Sequence, residues 1–242
     1  MKEKIRGILL QTLRHNDRHN IVTLYTESHG RVSFLSSASS GKVGKMRKAI
    51  LSPLAIVEAD VNFNSTRDLQ FLGTVHVPGP WKNLYFDPDK ISMTFFLSDF
   101  LTTLLRRAPE DRGLFHFLHS AIMSLDDTQY SVVNYHLCFM IRLLHFMGIE
   151  PDYQSYRPGY LFDMRDGSFI RSTMSTHNDL LDSQYSSVIP LLGRMTFYNH
   201  HRFRFSGEQR RIILNHLMRY YSIHLSIPTK LKSLDILHEL YR

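Results

Sequence analysis

The sequence predicts an α+β protein, with a small five-stranded β-barrel at the N-terminus and a mainly α-helical domain after it. Three observations carry that prediction. Short runs between Lys4 and Val77 alternate apolar and polar residues with the period of a half-buried strand. From about Asp87 onward, apolar residues recur at helical spacing instead. Pro78-Gly79-Pro80 stands between the two regimes and breaks both patterns. The predicted division is therefore a β-domain over 1–80 and a helical domain over 81–242, with a turn-rich insert at about 152–173.

The first strand is predicted from Lys4 to Arg14, where Ile5, Ile8, Leu10 and Leu13 punctuate a polar background. Asn16-Asp17 and Asn20 mark a turn, because short amide and carboxylate side chains hydrogen-bond the backbone just ahead of them. Ile21 to Thr26 alternates again, and Ser28-His29-Gly30 reads as a hairpin turn into Arg31 to Leu35. Leu54 to Phe63 and Leu69 to Val77 complete five strands. An oligonucleotide-binding (OB) barrel has that number, and so does an SH3-like barrel; strand count does not choose between them.

Asp87-Pro88 opens the first helix, in which Ile91, Phe95, Leu97, Phe100, Leu101, Leu104 and Leu105 follow helical spacing. Arg106-Arg107 is placed in its last turn, where cations suit the helix dipole. Pro109-Glu110-Asp111 starts a second helix, and a third runs from about Val132 to Met147, stopped by Gly148 and Pro151. Tyr, Pro, Gly and Asp then dominate to about Thr173, read as turns and a short hairpin. Helix is predicted again over 178–192, over Glu208 to Leu225 behind Ser206-Gly207, and over Leu231 to Tyr241.

Composition narrows the function classes. A net charge of +7 and a pI of about 9.5 favour an anionic partner. The single cysteine, Cys138, lies in an apolar helical run, so no intrachain disulfide or cysteine metal cluster forms, and a reducing compartment is expected. The N-terminal segment carries charge where a signal peptide needs its apolar core, and apolar stretches are too short to span a membrane. A cytoplasmic protein is expected.

The strongest functional signal is a basic stretch between predicted strands: Lys42, Lys45, Arg47 and Lys48, set among Ser36, Ser37, Ser39, Ser40, Gly41 and Gly44 with no acidic residue. Such a loop suits phosphate contact, which positions nucleic acid without reading its sequence. By itself it is equally a solvated surface loop. Arg31 joins these four as a contact candidate. A second group, Arg202, Arg204 and Arg210 with Arg211, lies near His200-His201, and Phe203 and Phe205 interleave with the first two. Interleaved aromatic and cationic residues bind single strands by stacking plus charge. The plainer reading, an edge segment with its phenylalanines buried, outweighs it.

Other chemistry is weakly represented. His116 and His119 share a helix face and His15 and His19 straddle a turn, but no HExxH pattern or cysteine pair accompanies them, so neither metal nor cofactor is expected. No phosphate-binding Gly loop or nucleophile elbow occurs. Asp126-Asp127 and Asp163/Asp166 read as cap and turn residues rather than an acid–base pair. Arg106, Arg107, Arg142 and His145 are candidates for an acidic peptide ending in apolar residues, although ordinary surface charge is the commoner role for any one of them.

The order of segments resembles the RecO family of bacterial recombination mediators. Thr26-Glu27-Ser28-His29-Gly30-Arg31-Val32 resembles its inter-strand hairpin, and Lys42 to Pro53 its basic loop and following strand entry. Leu143-Leu144-His145-Phe146-Met147-Gly148-Ile149-Glu150-Pro151 resembles the helix end before the family's zinc segment. Arg219-Tyr220-Tyr221 and Leu231-Lys232-Ser233-Leu234 resemble its closing helix and Leu-Lys-Ser signature. These matches span nearly the whole chain in order.

The resemblance implies an OB barrel and a helical domain, binding of single- and double-stranded DNA, and annealing of complementary strands. It implies partnership with RecR and with the acidic C-terminal tail of single-strand-binding protein, so that RecA is loaded on DNA. It also implies a cytoplasmic, nucleoid-associated bacterial protein that is not an enzyme. One departure stands out. Many members hold zinc on four cysteines, and here Tyr156 and Gly159 occupy the first pair's positions with no cysteine following. The segment reads as a zinc-less remnant in which packing of Tyr153, Tyr156 and Tyr160 replaces the metal. The alternative to a DNA-binding mediator is an interaction adaptor whose basic surfaces meet acidic peptides, with little DNA affinity of its own.

Overall fold

The computed structural model describes residues 2–37, 51–64, 66–174 and 177–234. It forms two compact units, Met1–Asp127 and Thr128–Arg242. The strand pattern stops at 80, but the first unit extends to Asp127 because two helices pack with the barrel.

In the first unit the five expected strands form: β1 (Lys2–Arg14), β2 (His19–Thr26), β3 (Gly30–Ser37), β4 (Ile56–Asn62) and β5 (Leu69–His76). They close in the order β1-β2-β3-β5-β4, with β4 returning to β1. Every pairing is antiparallel except that of β3 with β5, which is parallel. This order makes the barrel an OB fold and removes the SH3-like alternative. Closure gives every barrel strand a neighbour on both sides.

Period-two alternation fills the interior with Ile5, Leu9, Val22, Leu24, Val32, Phe34, Val57, Ala59, Val61 and Leu72. β1 departs from simple alternation, because Ile8, Leu9 and Leu10 are all buried. A bulge between Leu9 and Gln11 shifts the register there. The β1–β2 turn uses Asn16 as expected: its Oδ1 accepts the N–H groups of Arg18 at 2.9 Å and His19 at 2.8 Å.

Helix α1 (Pro88–Leu104) starts where predicted. Asp87 caps it, accepting from the Asp89 and Lys90 N–H groups, and Pro88 sits in the first turn, where its missing donor costs nothing. The Ser98 and Thr102 hydroxyls donate to the Leu10 carbonyl, fixing α1 on β1. The helix ends at Leu104, so Arg106 and Arg107 lie in the following turn rather than in its last turn. Ala108 precedes Pro109, which disfavours helical backbone at that point. Helix α2 (Arg112–Asp127) begins behind Asp111, whose Oδ1 accepts the Leu114 N–H at 2.9 Å.

Asp126 and Asp127 are not helix caps of the expected kind. They end α2, and the buried Asp126 carboxylate accepts the backbone N–H groups of Lys82, Asn83 and Leu84. Asp127 pairs with Lys82 Nζ at 2.8 Å. A long-range anchor of this kind ties the segment after Pro80 to α2.

The second unit is built on α3 (Tyr135–Phe146) and α6 (Gly207–Leu225). Gly148, at φ +69°, supplies the left-handed residue that ends the α3 region. Ser206 and Gln209 form a capping box at the start of α6. Tyr221 Oη donates to the Met140 carbonyl at 2.8 Å and joins the two helices. Cys138 is fully buried, and burial pushes its thiol up to about 12, which leaves it inert.

Between these helices the turn-rich segment forms a small hairpin, β6 (Leu161–Asp163) with β7 (Ser168–Ile170). Asp163 Oδ1 accepts from the Arg165 N–H at 2.8 Å, the turn role its sequence position predicts. The single helix expected over 178–192 is instead two short pieces, α4 (Ser183–Ser186) and α5 (Ile189–Gly193). Asp182 caps the first, and Pro190 in the first turn of the second cannot donate to a continuous helix. Of the helix expected over Leu231 to Tyr241, residues beyond Leu234 lie outside the described residues.

Candidate nucleic-acid interface

The β2–β3 hairpin carries Arg31, one of the predicted contact residues, against the α1–α2 connection. Gly30 closes it at φ +62°, and a Cβ there would lie 2.6 Å from the Glu110 nitrogen and overlap the Pro109 carbonyl group. Only glycine lets the hairpin meet the α1–α2 connection this closely. Arg31 N–H then donates to the Ala108 carbonyl at 3.2 Å, and Tyr25 Oη donates to the Pro109 carbonyl at 3.3 Å. Burial, with Asp111 next, pushes the Tyr25 hydroxyl up to about 12, so it stays a protonated donor.

The same seam brings arginines together. Arg31 Nη1 donates to the Arg106 carbonyl at 2.8 Å. Burial, and then the like charge of Arg106, lower the Arg31 guanidinium from its ordinary value, though an arginine stays protonated throughout the physiological range. Arg106 and Arg107 are exposed, and neither side chain makes a hydrogen bond or ion pair among the described residues. Arg31 and Arg106, from two separate sequence-level groups, thus share one face of the barrel. Like charges held together by the fold favour an anion beside them.

Lys42, Lys45, Arg47 and Lys48 lie outside the described residues. In the second unit, Arg202 closes a short 3₁₀ turn over His200–Arg202, and Arg204 follows it; both are exposed. Phe203 and Phe205 are half-buried and stack with ring centroids 6.3 Å apart. Asn134 Nδ2 donates to the Phe203 carbonyl at 2.7 Å and fixes this segment. Arg210 is half-buried, with Nη1 donating to the Phe205 carbonyl at 2.6 Å, so it braces the segment. Arg142 and His145 lie exposed on α3, and His145 is paired with Glu150 at 2.8 Å. Their counterparts Arg106 and Arg107 belong to the first unit.

Two histidines of the first unit take acidic partners. His116 Nε2 lies 3.7 Å from Glu27, and His29 pairs with Glu3 at 2.8 Å while stacking on Phe63. Among the described residues no three His, Cys, Asp or Glu side chains are grouped as a metal site. At the hairpin of the second unit, Tyr156 and Phe162 both pack on Phe169 with centroids 5.1 Å away, and Arg171 lies over Tyr160 at 5.9 Å. Asp179 joins Arg165 and Arg219, and hydrogen bonds from Arg165 first and Arg219 second hold its carboxyl below the usual range. No helix among the described residues is long and apolar enough to cross a membrane.

An OB barrel with an arginine-bearing seam and a following helical unit defines a class of oligonucleotide-binding-fold proteins. Comparison with known proteins narrows it. Residues 1–79 match the model of the recombination protein O N-terminal domain, and residues 85–235 that of its C-terminal domain. The chain is 35% identical to the DNA repair protein RecO of Phocaeicola vulgatus over 241 residues, covering all of both chains. It is 32% identical to that of Bacteroides fragilis over the same span. With that of Porphyromonas gingivalis the identity is 34%, covering 98% of each chain. The chain belongs to the recombination protein O family of bacterial DNA repair proteins.

Proposed function

We propose that this chain is a non-enzymatic mediator that binds single- and double-stranded DNA and anneals complementary strands. With RecR, it helps load RecA onto DNA coated by single-strand-binding protein, whose acidic C-terminal tail it also contacts. It works in the bacterial cytoplasm, at the nucleoid. The observation that carries the reading is the Arg31–Arg106 seam on an OB barrel in a member of this family. Cations on the barrel neutralise phosphate and release counterions, which makes binding salt-dependent. Masking the repulsion between two strands speeds annealing without covalent chemistry. Lys42, Lys45, Arg47 and Lys48 are the phosphate contacts in this reading, and Arg202, Arg204 and Arg210 are further contacts. Arg106 and Arg107 of the first unit, and separately Arg142 and His145 of the second, are the candidates for the acidic tail. Aromatic packing at Tyr153, Tyr156 and Tyr160 takes the place of a zinc site.

The test is annealing of complementary single strands across a salt series, comparing wild type with the variant in which Lys42, Lys45, Arg47 and Lys48 are alanine. The expected result is acceleration by wild type and its loss in the folded variant. If wild type neither anneals strands nor binds DNA at moderate salt, yet binds the acidic tail peptide, the adaptor reading replaces this one.

A further inference from the structure

The seam is not the only feature beside the β2–β3 hairpin. A cavity of about 220 Å³ opens on the first unit, lined in part by Arg6, Ile56, Val77, Trp81, His119 and Met123. That is below the roughly 300–1,000 Å³ of pockets for drug-sized ligands, and it suits one flat ring system. Its wall at 78–80 is Pro-Gly-Pro, whose two prolines offer no N–H donor.

Two features show a built site rather than a chance gap. Trp81 is positioned: the residues after it are tied to the Asp126 carboxylate, with the Leu84 N–H at 2.7 Å, and Tyr85 meets the indole at 85° with centroids 5.5 Å apart. Among the described residues no ring stacks parallel on this indole. Arg6 is also positioned without being saturated. Its guanidinium lies 5.9 Å from the Phe115 ring centroid and 3.6 Å from Glu27, and its buried Nε makes no hydrogen bond among the described residues. Apolar walls, an available indole face and a cation call for a flat ring joined to an anion.

Arg6, which lines this cavity, and Arg31 stand on the two strands that flank β2. The Arg6 carbonyl on β1 accepts the Glu27 N–H at 3.0 Å, and Arg31 on β3 pairs with Tyr25 of β2. We infer that the cavity receives one unstacked base of single-stranded DNA, its ring stacked on Trp81 and its phosphate at Arg6. The inference rests on the DNA-binding reading above and names a site within it. A base fits better than a peptide because a peptide would bury backbone polar groups against apolar and proline walls. A base brings only its edge, which the half-buried His119 imidazole can meet as donor or acceptor.

Trp81 is the chain's only tryptophan, so fluorescence excited at the red edge of the spectrum, where the twelve tyrosines do not absorb, reports this cavity alone. The full chain is titrated at low salt with an end-labelled oligothymidylate, with an abasic strand of the same length, and with an acidic peptide ending in phenylalanine. Strand anisotropy is read in parallel. The expected result is saturable quenching by oligothymidylate that follows the anisotropy, with little quenching by the abasic strand even where it binds. Trp81→Ala is expected to weaken single-strand affinity about ten-fold, and Trp81→Phe to restore most of it. Arg6→Gln, which leaves the indole in place, should weaken quenching and affinity together. Binding of DNA with Trp81 fluorescence unchanged, or equal quenching by the abasic strand, overturns the site but leaves DNA binding standing. Quenching by the peptide and not by the oligothymidylate overturns it in favour of a peptide. Absence of any DNA binding overturns the reading beneath it.

Discussion

Arg31 donates from its guanidinium to the Arg106 carbonyl at 2.8 Å across a sequence separation of 75 residues. The contact depends on the bare backbone of Gly30, against which the Pro109 and Glu110 backbone is packed. Gly30→Ala is therefore expected to cost about 1–3 kcal/mol, from strained φ and forced displacement of the connection. Urea denaturation of wild type and variant measures it. Stability within 0.5 kcal/mol, approximately that of an ordinary surface substitution, would show that the seam is not close-packed.

The Asp126 carboxylate is expected to matter more than its position at a helix end implies. It is buried and accepts three backbone N–H groups from 82–84. Asp126→Asn replaces an acceptor oxygen by a donor facing donors, at a cost of about 2 kcal/mol. A lowered urea midpoint, with a red-shifted Trp81 emission as the segment loosens, is the expected outcome.

The second unit should lose stability in mild acid. His200 is fully buried, and neither ring nitrogen makes a hydrogen bond among the described residues. Burial, with His201 second, lowers its pKa from 6.5 to about 4. The unfolded chain therefore takes up this proton first. The stabilisation is complete above about 6.5 and is lost as pH falls toward 4, at up to about 1.4 kcal/mol per pH unit. His200→Gln should flatten this limb of a stability–pH curve; an unchanged limb would assign it to other groups.

The hairpin of the second unit is expected to stand on its rings and ion pairs. Phe169 is buried between Tyr156 and Phe162, so Phe169→Ala should cost about 3–5 kcal/mol. Treatment with a metal chelator should leave the Tm of wild type unchanged. A chelator-induced drop, or stoichiometric zinc in the purified chain, would contradict aromatic replacement of the metal.

Local chemistry explains what the sequence made legible. All five strands were readable because barrel closure leaves one face of each inside, so period-two alternation survives at Val22, Leu24, Val32 and Phe34. The Asn16 turn, the Asp87 cap and the Ser206 capping box were readable because each acts within three residues. The choice of OB over SH3-like barrel was not, because it resides in the parallel pairing of Ser33 with Leu69 and its neighbours. Arg31 was legible as a cation, but its junction with Arg106 was not, since no local pattern records a partner 75 residues away. The role of Asp126 was hidden for the same reason: its partners lie more than 40 residues earlier in the chain. The Trp81 cavity likewise draws on β1, β4, α2 and the Pro-Gly-Pro segment at once.

The most direct test of the central claim is the salt dependence of single-strand affinity for wild type and Arg106→Gln/Arg107→Gln. These two exposed side chains have no hydrogen bond or ion pair to lose among the described residues, and the Arg106 carbonyl that holds Arg31 is retained. The account predicts weaker binding on every sequence alike, and a log–log salt slope shallower by about 1.4, roughly 0.7 for each phosphate no longer neutralised. An unchanged slope and affinity in the folded variant would contradict it, and would remove the seam between barrel and helix connection from the DNA-binding surface.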